Sequence, residues 1–228
     1  MRALDLDMDF FLSGPCELAA PGERPADSEA QPWTEAEVRR FLEENCGLSK
    51  ARPIPGAVFE THDRALDFWQ AHAAFPLDVT HVDAHSDLGI GKPGPAFVLE
   101  SVITRAPANR GTADEYREKR QLDEANYLLF AIAFRWVNSL ENVRNPRSRP
   151  DIPPFCREKS LRLESSTGRI LPMLNHNEPE IPFSVYDDWR KFRAAGKFDL
   201  ATMAISPRYA PASADFIIDI FKEYIIPV

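Results

Sequence analysis

Asp83, His85 and Asp87 form the clearest chemical pattern in the sequence, because a single residue separates each from the next. In an extended segment, side chains two residues apart point to the same side, so two carboxylates and one imidazole would lie within a few ångströms of one another. Burying such a group without compensation costs several kcal/mol, whereas a divalent cation neutralises it. The pattern follows an apolar segment and precedes a glycine-rich loop, and it therefore predicts a metal site.

A second acidic pattern lies near the N-terminus. Asp5, Asp7 and Asp9 alternate with apolar residues in the segment 3–12, which is the two-residue period of a strand. A solvated edge strand is one interpretation. The other is a second contribution to the same metal site, because like charges on one strand face repel each other. Carboxylate and imidazole ligands without thiolate favour manganese or iron(II) over magnesium or zinc.

The elements that must position these residues alternate between strands and helices. His62 follows one predicted strand and opens the next predicted helix, where it is either a plain first-turn polar residue or a further ligand. The alternation predicts an α/β fold with a mostly parallel sheet and a single domain over 1–228, in which sites form at the carboxyl ends of the strands. The pattern predicts strands at 3–12, 57–59, 77–82, 161–163, 170–174 and 198–205, helices at 34–46, 62–74, 126–139 and 212–225, loops at 13–32 and 145–155, and a mobile or solvent-facing connection at 105–122.

Composition restricts the class of partner. The chain carries 35 acidic and 27 basic residues, a net charge of -8, which argues against nucleic acid or an anionic membrane surface as the main partner and is compatible with a cationic substrate. Its 3 cysteines are widely spaced and contain no Cys-x-x-Cys pair, so a disulfide framework is not expected. The N-terminus turns acidic where a signal peptide would be apolar, and we therefore expect a cytoplasmic protein.

The motifs resemble those of a known superfamily. Residues 82–87 (Val-Asp-Ala-His-Ser-Asp) resemble the Asp-Ala-His-x-Asp signature of the arginase and deacetylase superfamily, the manganese ureohydrolases in particular. Residues 6–9 resemble its Asp-x-Asp strand, and residues 61–63 resemble its Gly-Asp-His-Ser element, with the histidine kept and the glycine replaced. Residues 4–11, 59–66, 81–88 and 198–207 resemble more closely a divergent branch of this superfamily. That branch includes the peptide arginases, which convert arginine to ornithine within ribosomally made precursor peptides.

This resemblance implies an arginase-like three-layer α/β/α fold and two Mn²⁺ ions per chain. The Asp-x-Asp run comes last of the three motifs in the better-known ureohydrolases and first here, so the connectivity would be permuted. Matching Asp5 and Asp7 to the Asp-x-Asp element is an alternative to Asp7 and Asp9, the pair that we prefer; Asp5 would then support the ligands from behind. The implied ligands of one ion are His62, Asp83 and Asp87, those of the other are His85 and Asp9, and Asp83 and Asp7 bridge the two.

The resemblance also implies a reaction, in which water attacks the guanidinium carbon of arginine to give urea and ornithine. Asp87 would orient that water. Glu60 and Glu100 are acidic residues that could hold the substrate cation. His176 is our candidate for the proton donor, and a loop histidine with a structural hydrogen bond is the alternative. We interpret His72 and His81 as structural.

Three other functions remain open. Free arginine or agmatine could replace a precursor peptide as the substrate. An amide deacylase of the same superfamily would use one zinc ion, a catalytic tyrosine and paired histidines, and the sequence contains no adjacent His-His pair. A non-enzymatic metal-binding or interaction protein is the third possibility. Trp69 and Trp136 lie on apolar faces of predicted helices and are expected in the core.

Overall fold

An eight-stranded, mostly parallel sheet runs through the structure, a computed structural model that describes residues 1–89 and 94–228. The strand order is β5-β6-β4-β3-β1-β7-β2-β8, and β5 pairs with β6 antiparallel while the other neighbouring pairs are parallel. The strands are β1 (Arg2–Asp7), β2 (Ile54–Phe59), β3 (Leu77–Asp83), β4 (Val137–Arg144), β5 (Ser160–Leu161), β6 (Ile181–Tyr186), β7 (Leu200–Ala204) and β8 (Ile225–Pro227).

Short helices connect these strands. Helix α1 begins with a capping box, in which the Thr34 side chain accepts from the Glu37 backbone and the Glu37 side chain accepts from the Thr34 backbone, and it continues as a π-helical turn over Phe41–Asn45. A 3₁₀ turn over His62–Arg64 leads into α2. In the described residues the helices are α1 (Glu35–Arg40), α2 (Ala65–His72), α3 (Gly94–Phe97), α4 (Ala113–Glu118), α5 (Tyr127–Ala133), α6 (Ser166–Ile170) and α7 (Phe216–Lys222).

Two apolar clusters cover the two faces of the sheet. Because successive strand residues face opposite sides, Ala3 and Val79 join the cluster that contains the buried residues of α2 and α5. Leu4 and Val82 join the other cluster, with Val38 of α1 and the apolar side of α7. This arrangement confirms the predicted α/β class with helices on both faces of a mostly parallel sheet.

The first strand is shorter than the predicted segment 3–12. Strand β1 ends at Asp7, and a 3₁₀ turn spans Met8–Phe11. The Asp7 carboxylate accepts a hydrogen bond from the Asp9 backbone N–H at 3.0 Å and caps this turn. An aspartate that bonds the backbone two residues on offers an alternative to strand pairing, which explains why the alternating sequence did not continue as a strand.

The predicted helix 126–139 is wrong in its second half. Helix α5 ends at Ala133, Arg135 adopts a left-handed φ of 62°, and β4 begins at Val137. The apolar residues continue through both elements, so hydrophobicity alone did not reveal the break. The predicted strand 170–174 is also wrong, since α6 ends at Ile170 and a 3₁₀ turn follows over Pro172–Leu174.

The connection 105–122 is an ordered part of the fold, contrary to the prediction of a mobile or solvent-facing segment. It contains α4, in which Ala113 and Tyr116 are buried. Arg110 is also buried, where its guanidinium pairs with Glu178 and donates to the Ala133 carbonyl. The final helix is likewise shorter than predicted, because α7 ends at Lys222 and Ile225 opens β8.

The core prediction for the two tryptophans holds for Trp69, which is fully buried, while Trp136 is partly buried against the same cluster. None of the described helices has the length and apolar character to cross a membrane.

Candidate metal centre

Three parallel strands of the sheet carry acidic or histidine side chains to one edge. Asp7 is the last residue of β1, and Asp83 is the last residue of β3 beside it. Strand β2 lies beyond β7, and His62 follows it within the turn that opens α2. The carboxyl ends of parallel strands meet at one edge, which is where α/β proteins form their sites.

The first group of side chains surrounds His62. Its Nδ1 atom lies 3.2 Å from a carboxylate oxygen of each of Asp7, Asp83 and Asp87. The Nε2 atom of His81 lies 3.4 Å from the same Asp83 oxygen. His62, His81, Asp83 and Asp87 are buried, and one ligand atom from each lies within 4.8 Å of the others. This buried group of imidazoles and carboxylates could bind a metal ion.

A second group overlaps the first at Asp83. The Nδ1 atom of His85 lies 3.0 Å from Asp9 Oδ2 and 3.6 Å from Asp83 Oδ1. The ligand atoms of Asp9, Asp83 and His85 also lie within 4.8 Å of one another. Asp83 therefore offers one carboxylate oxygen to each group, Oδ2 toward His62 and Oδ1 toward His85.

The donor atoms fit a divalent cation. Both ring nitrogens of His62 and the Nε2 atom of His81 are buried and make no hydrogen bond to the described part of the chain. They lie at contact distance from carboxylates without hydrogen-bond geometry, which is the arrangement of groups that share an ion. Imidazole nitrogen and carboxylate oxygen without thiolate suit manganese, iron(II) or zinc.

The crowding of buried acids and histidines shifts the pKa values of this group. Burial, and then the charge of Asp83, raises the pKa of Asp87 to about 7. Burial and the charges of Asp7 and Asp83 also raise the pKa of Asp9 well above its usual value. For His62, burial opposes protonation, but neighbouring acidic groups, Tyr127 and Asp5 foremost, raise its pKa. The cluster therefore favours positive charge at its centre.

The Asp5 carboxylate contacts both buried histidines, His62 and His81. It lies opposite His81 in the β1–β3 register, and its carboxylate is 3.3 Å from His62 Nε2 and 3.5 Å from His81 Nδ1. The hydroxyls of Tyr127 and Thr202 donate hydrogen bonds to it at 2.5 and 2.6 Å. A carboxylate on the far nitrogen of a histidine fixes the ring and directs the other nitrogen. The supporting role of Asp5 stays a prediction, and these are the contacts that it requires.

The loop that carries His85 and Asp87 is braced by the segment after β4. The Ser86 backbone N–H donates to Asp151 at 2.8 Å, and Asp151 pairs with Arg144 at 2.6 Å. Asp87 itself adopts a left-handed φ of 51°, which a non-glycine residue takes only where its surroundings impose it. This turn brings the Asp87 carboxylate back toward His62, a placement that extended spacing alone would not give.

A cavity of about 170 Å³ opens over the two groups. Beside residues of the two groups, it is lined by Glu124, Ala125, Ser206 and Tyr209. The Ser206 hydroxyl donates to Asp7, and the Tyr209 ring meets His85 edge-on with centroids 5.1 Å apart. Burial, and then the charge of Asp7, raises the pKa of Glu124 to about 7.

Not all of the predicted residues meet here. The structure brings together Asp5, Asp7, Asp9, His62, Asp83, His85 and Asp87. His176 lines a different cavity with Glu178, and its Nε2 lies 3.2 Å from the Thr104 carbonyl. Glu100 accepts hydrogen bonds from the Ser166 and Thr167 backbone at the start of α6. Glu60 lines a separate cavity that borders the centre at Glu124.

Sequence reasoning missed His81, which was interpreted as structural. The signal was available, because His81 and Asp83 share a face of β3 by the same period of two that joins Asp83 to His85. Tyr127 and Glu124 carried no such signal, since each reaches the centre only through the packing of the chain around α5. The fold also supplies the histidine pair that adjacent positions lack, with the His62 and His81 rings 5.2 Å apart.

Comparison of the chain with protein-family models, with curated proteins and with solved structures finds no significant match. The resemblance to the arginase and deacetylase superfamily therefore remains a prediction from the motifs.

Proposed function

We propose that the protein is a manganese-dependent hydrolase that converts the guanidinium group of arginine to ornithine and urea, acting on arginine residues of a ribosomally made precursor peptide. The observation that carries this proposal is the pair of overlapping metal-binding groups that share Asp83. A shared carboxylate between two groups favours two ions over one. The acidic balance of the chain, with a net charge of -8, favours a cationic substrate.

The ligands divide between the two groups. His62, Asp83 and Asp87 would hold one Mn²⁺ ion, with His81 beside them, and Asp9, His85 and Asp83 would hold the other. Asp7 lies within 3.2 Å of His62 and caps the turn that carries Asp9, so it would bridge the two. Two bound divalent cations would lower the pKa of a shared water and stabilise the charge that develops on the guanidinium group.

The chain's own residues would orient and protonate the reactants. The Asp87 carboxylate would accept a hydrogen bond from the attacking water and direct its oxygen to the guanidinium carbon. Cleavage of the bond from that carbon to the side-chain nitrogen releases urea, and the new ornithine amine takes up a proton. His176 does not line this cavity, so we assign the donor role to the Tyr209 hydroxyl, whose ring contacts His85.

Mass spectrometry tests the reaction directly. An arginine-containing peptide incubated with Mn²⁺-loaded protein should lose the mass difference between an arginine and an ornithine residue, with release of urea. Free arginine and agmatine, tested alongside, distinguish a peptide substrate from a small guanidine. The Asp87→Asn variant should bind the same peptide without converting it. Absence of urea from all three substrates would contradict the proposal.

Amide deacylation is a second candidate, favoured by one observation. The fold brings His62 and His81 together beside Asp83, and His62, Asp83 and Tyr209 line the cavity. A histidine pair, a carboxylate and a tyrosine are therefore present at the centre, with His81 behind the cavity wall. Zinc-loaded protein should then release acetate from an acetyl-lysine peptide, and the Asp9→Asn variant should keep that activity because one ion would suffice. Arginine hydrolysis that requires both Asp9 and Asp83 would exclude this candidate.

A further inference from the structure

The cavity over the metal centre contains one carboxylate that the proposed ions leave free. Among the described residues that line it, Asp7, Asp83 and Asp87 are assigned to the metal groups, and Glu124 is the remaining acid. Glu124 is half-buried and lies two residues before Asn126, the N-cap of α5. His62 lines the same cavity, where its buried Nδ1 makes no hydrogen bond to the described residues and lies 3.2 Å from the carboxylates of Asp7, Asp83 and Asp87. This unsatisfied nitrogen marks the cavity as a site for a ligand rather than a gap in packing.

Glu124 also lines a second, larger cavity of about 460 Å³. This outer cavity contains further acids, Glu60 and Asp123 among them, and two arginines, Arg24 and Arg208. Glu124 therefore lies where the two cavities adjoin. A substrate large enough to occupy both cavities would contact the Glu124 carboxylate.

The arginines of the outer cavity are already engaged by the protein. The Arg24 guanidinium donates to the carbonyl oxygens of Ala210 and Pro211 and pairs with Asp215 at 2.8 Å. The Arg208 Nε donates to the Ala19 carbonyl at 2.9 Å. Because Arg24 and the Arg208 Nε are engaged by these partners, the acids of the outer cavity, Glu60 and Glu124 among them, are the groups that would bind an entering cation.

We propose that Glu124 determines substrate specificity by binding the cationic group of the substrate through its carboxylate, while the outer cavity holds the rest of the substrate. A planar guanidinium can donate two parallel hydrogen bonds to one carboxylate, and this charge-assisted contact is stronger than a neutral one. The outer cavity is wider than a single guanidinium requires, which suits an arginine within a longer chain. The inference rests on the proposed function, because the substrate is a guanidinium compound only if that function holds.

Isosteric replacement of Glu124 gives the test. Mn²⁺-loaded wild type, Glu124→Gln and the matched control Glu118→Gln, an exposed glutamate at the end of α4, are compared on agmatine, free arginine and an arginine-containing peptide. Loss of a charged hydrogen bond should raise KM for Glu124→Gln by about tenfold or more. The value of kcat should change by less than KM, and the Mn²⁺ content of each variant should equal that of wild type.

A binding measurement with the same peptide and a charge-neutral citrulline analogue separates the role of Glu124 in substrate binding from the proposed hydrolase function. Weaker peptide binding by Glu124→Gln, with unchanged citrulline-peptide binding, supports the inference even if wild type releases no urea, a result that would defeat only the proposed function. Turnover by wild type with an unchanged KM in Glu124→Gln would overturn the inference and leave the function standing. Equal affinity of wild type for the arginine peptide and the citrulline peptide would also overturn the inference about Glu124.

Discussion

Asp83 is the residue that the two candidate metal-binding groups share. Its two oxygens face different histidines, Oδ2 toward His62 and Oδ1 toward His85, and it also receives the His85 backbone N–H at 2.7 Å. The neighbouring histidines hold its pKa well below the usual value in spite of complete burial, so it remains ionised. An ionised carboxylate with two partners in different directions is the geometry of a bridging ligand.

Replacing Asp83 with Asn should therefore remove metal from both groups. We expect the affinity for Mn²⁺ to fall by more than about 100-fold, beyond the loss typical of residues that only support ligands. Titration calorimetry measures this affinity, and circular dichroism verifies that the fold persists. Asp78→Asn is the matched control, because Asp78 lies at the other end of the same strand and bonds Asn138 and Ser139. Equal affinity in the two variants would remove the bridging role of Asp83.

Single residues show how much of the centre the sequence could predict. The spacing of Asp83, His85 and Asp87 predicted that they would meet, although Asp87 does so through a left-handed turn rather than an extended strand. Asp9 was expected on the β1 face and instead approaches from the turn that Asp7 caps. Glu124 could not be predicted, because its position depends on contacts between segments distant in the sequence.

At the scale of elements, the segment 105–122 is the largest departure from the sequence prediction. Its many charged and small polar residues indicated solvent exposure. Arg110 is nevertheless buried and pairs with Glu178 in a bidentate ion pair, and Arg135 lies 3.2 Å from the same carboxylate. A charged residue can enter the core when its partner is elsewhere in the chain, and composition does not identify that partner.

Removing the Arg110 guanidinium should destabilise the fold strongly. Arg110→Met leaves the buried Glu178 carboxylate with only the partly exposed Arg135, and we expect the free energy of unfolding to fall by about 3 kcal/mol. The double variant Arg110→Met, Glu178→Leu should recover much of this loss, because no buried charge is then left uncompensated. Urea denaturation measures both differences. A change below about 0.5 kcal/mol for Arg110→Met would show that the pair does not anchor the segment.

Local sequence signals marked some helix and strand boundaries, and other boundaries had no such signal. The capping box at Thr34 and Glu37 is a local signal, and the predicted start of α1 is confirmed. The break between α5 and β4 falls at Arg135, and no glycine or proline marks this break in the sequence. Strand β6 was not predicted, although Ile181 and Phe183 alternate with exposed residues, because Pro182 is atypical of a strand.

For the whole molecule, the centre is a concentration of buried negative charge. The carboxylates of Asp5, Asp7, Asp9, Asp83 and Asp87 are all buried, and the facing histidines are His62, His81 and the partly exposed His85. Five carboxylates face three histidines, and burial together with the repulsion among the ionised acids raises the pKa values of Asp9 and Asp87. Cations that bind the folded state would relieve this charge and stabilise the molecule.

Metal should therefore raise the stability of the entire fold. Free Mn²⁺ at about 100 times its dissociation constant should add about 2.7 kcal/mol, and excess EDTA should remove that gain. Differential scanning calorimetry with and without Mn²⁺ measures the change as a rise in Tm. The Asp83→Asn variant serves as the control and should show little response. An identical Tm for wild type in Mn²⁺ and in EDTA would argue against binding to the folded state.

Anomalous diffraction from crystals grown with Mn²⁺ tests the central claim most directly. We predict two anomalous peaks in each chain, one among His62, Asp83 and Asp87 and the other among Asp9, Asp83 and His85. An anomalous map without density beside Asp83, in crystals grown with saturating Mn²⁺, would contradict the assignment of this cluster as a metal centre.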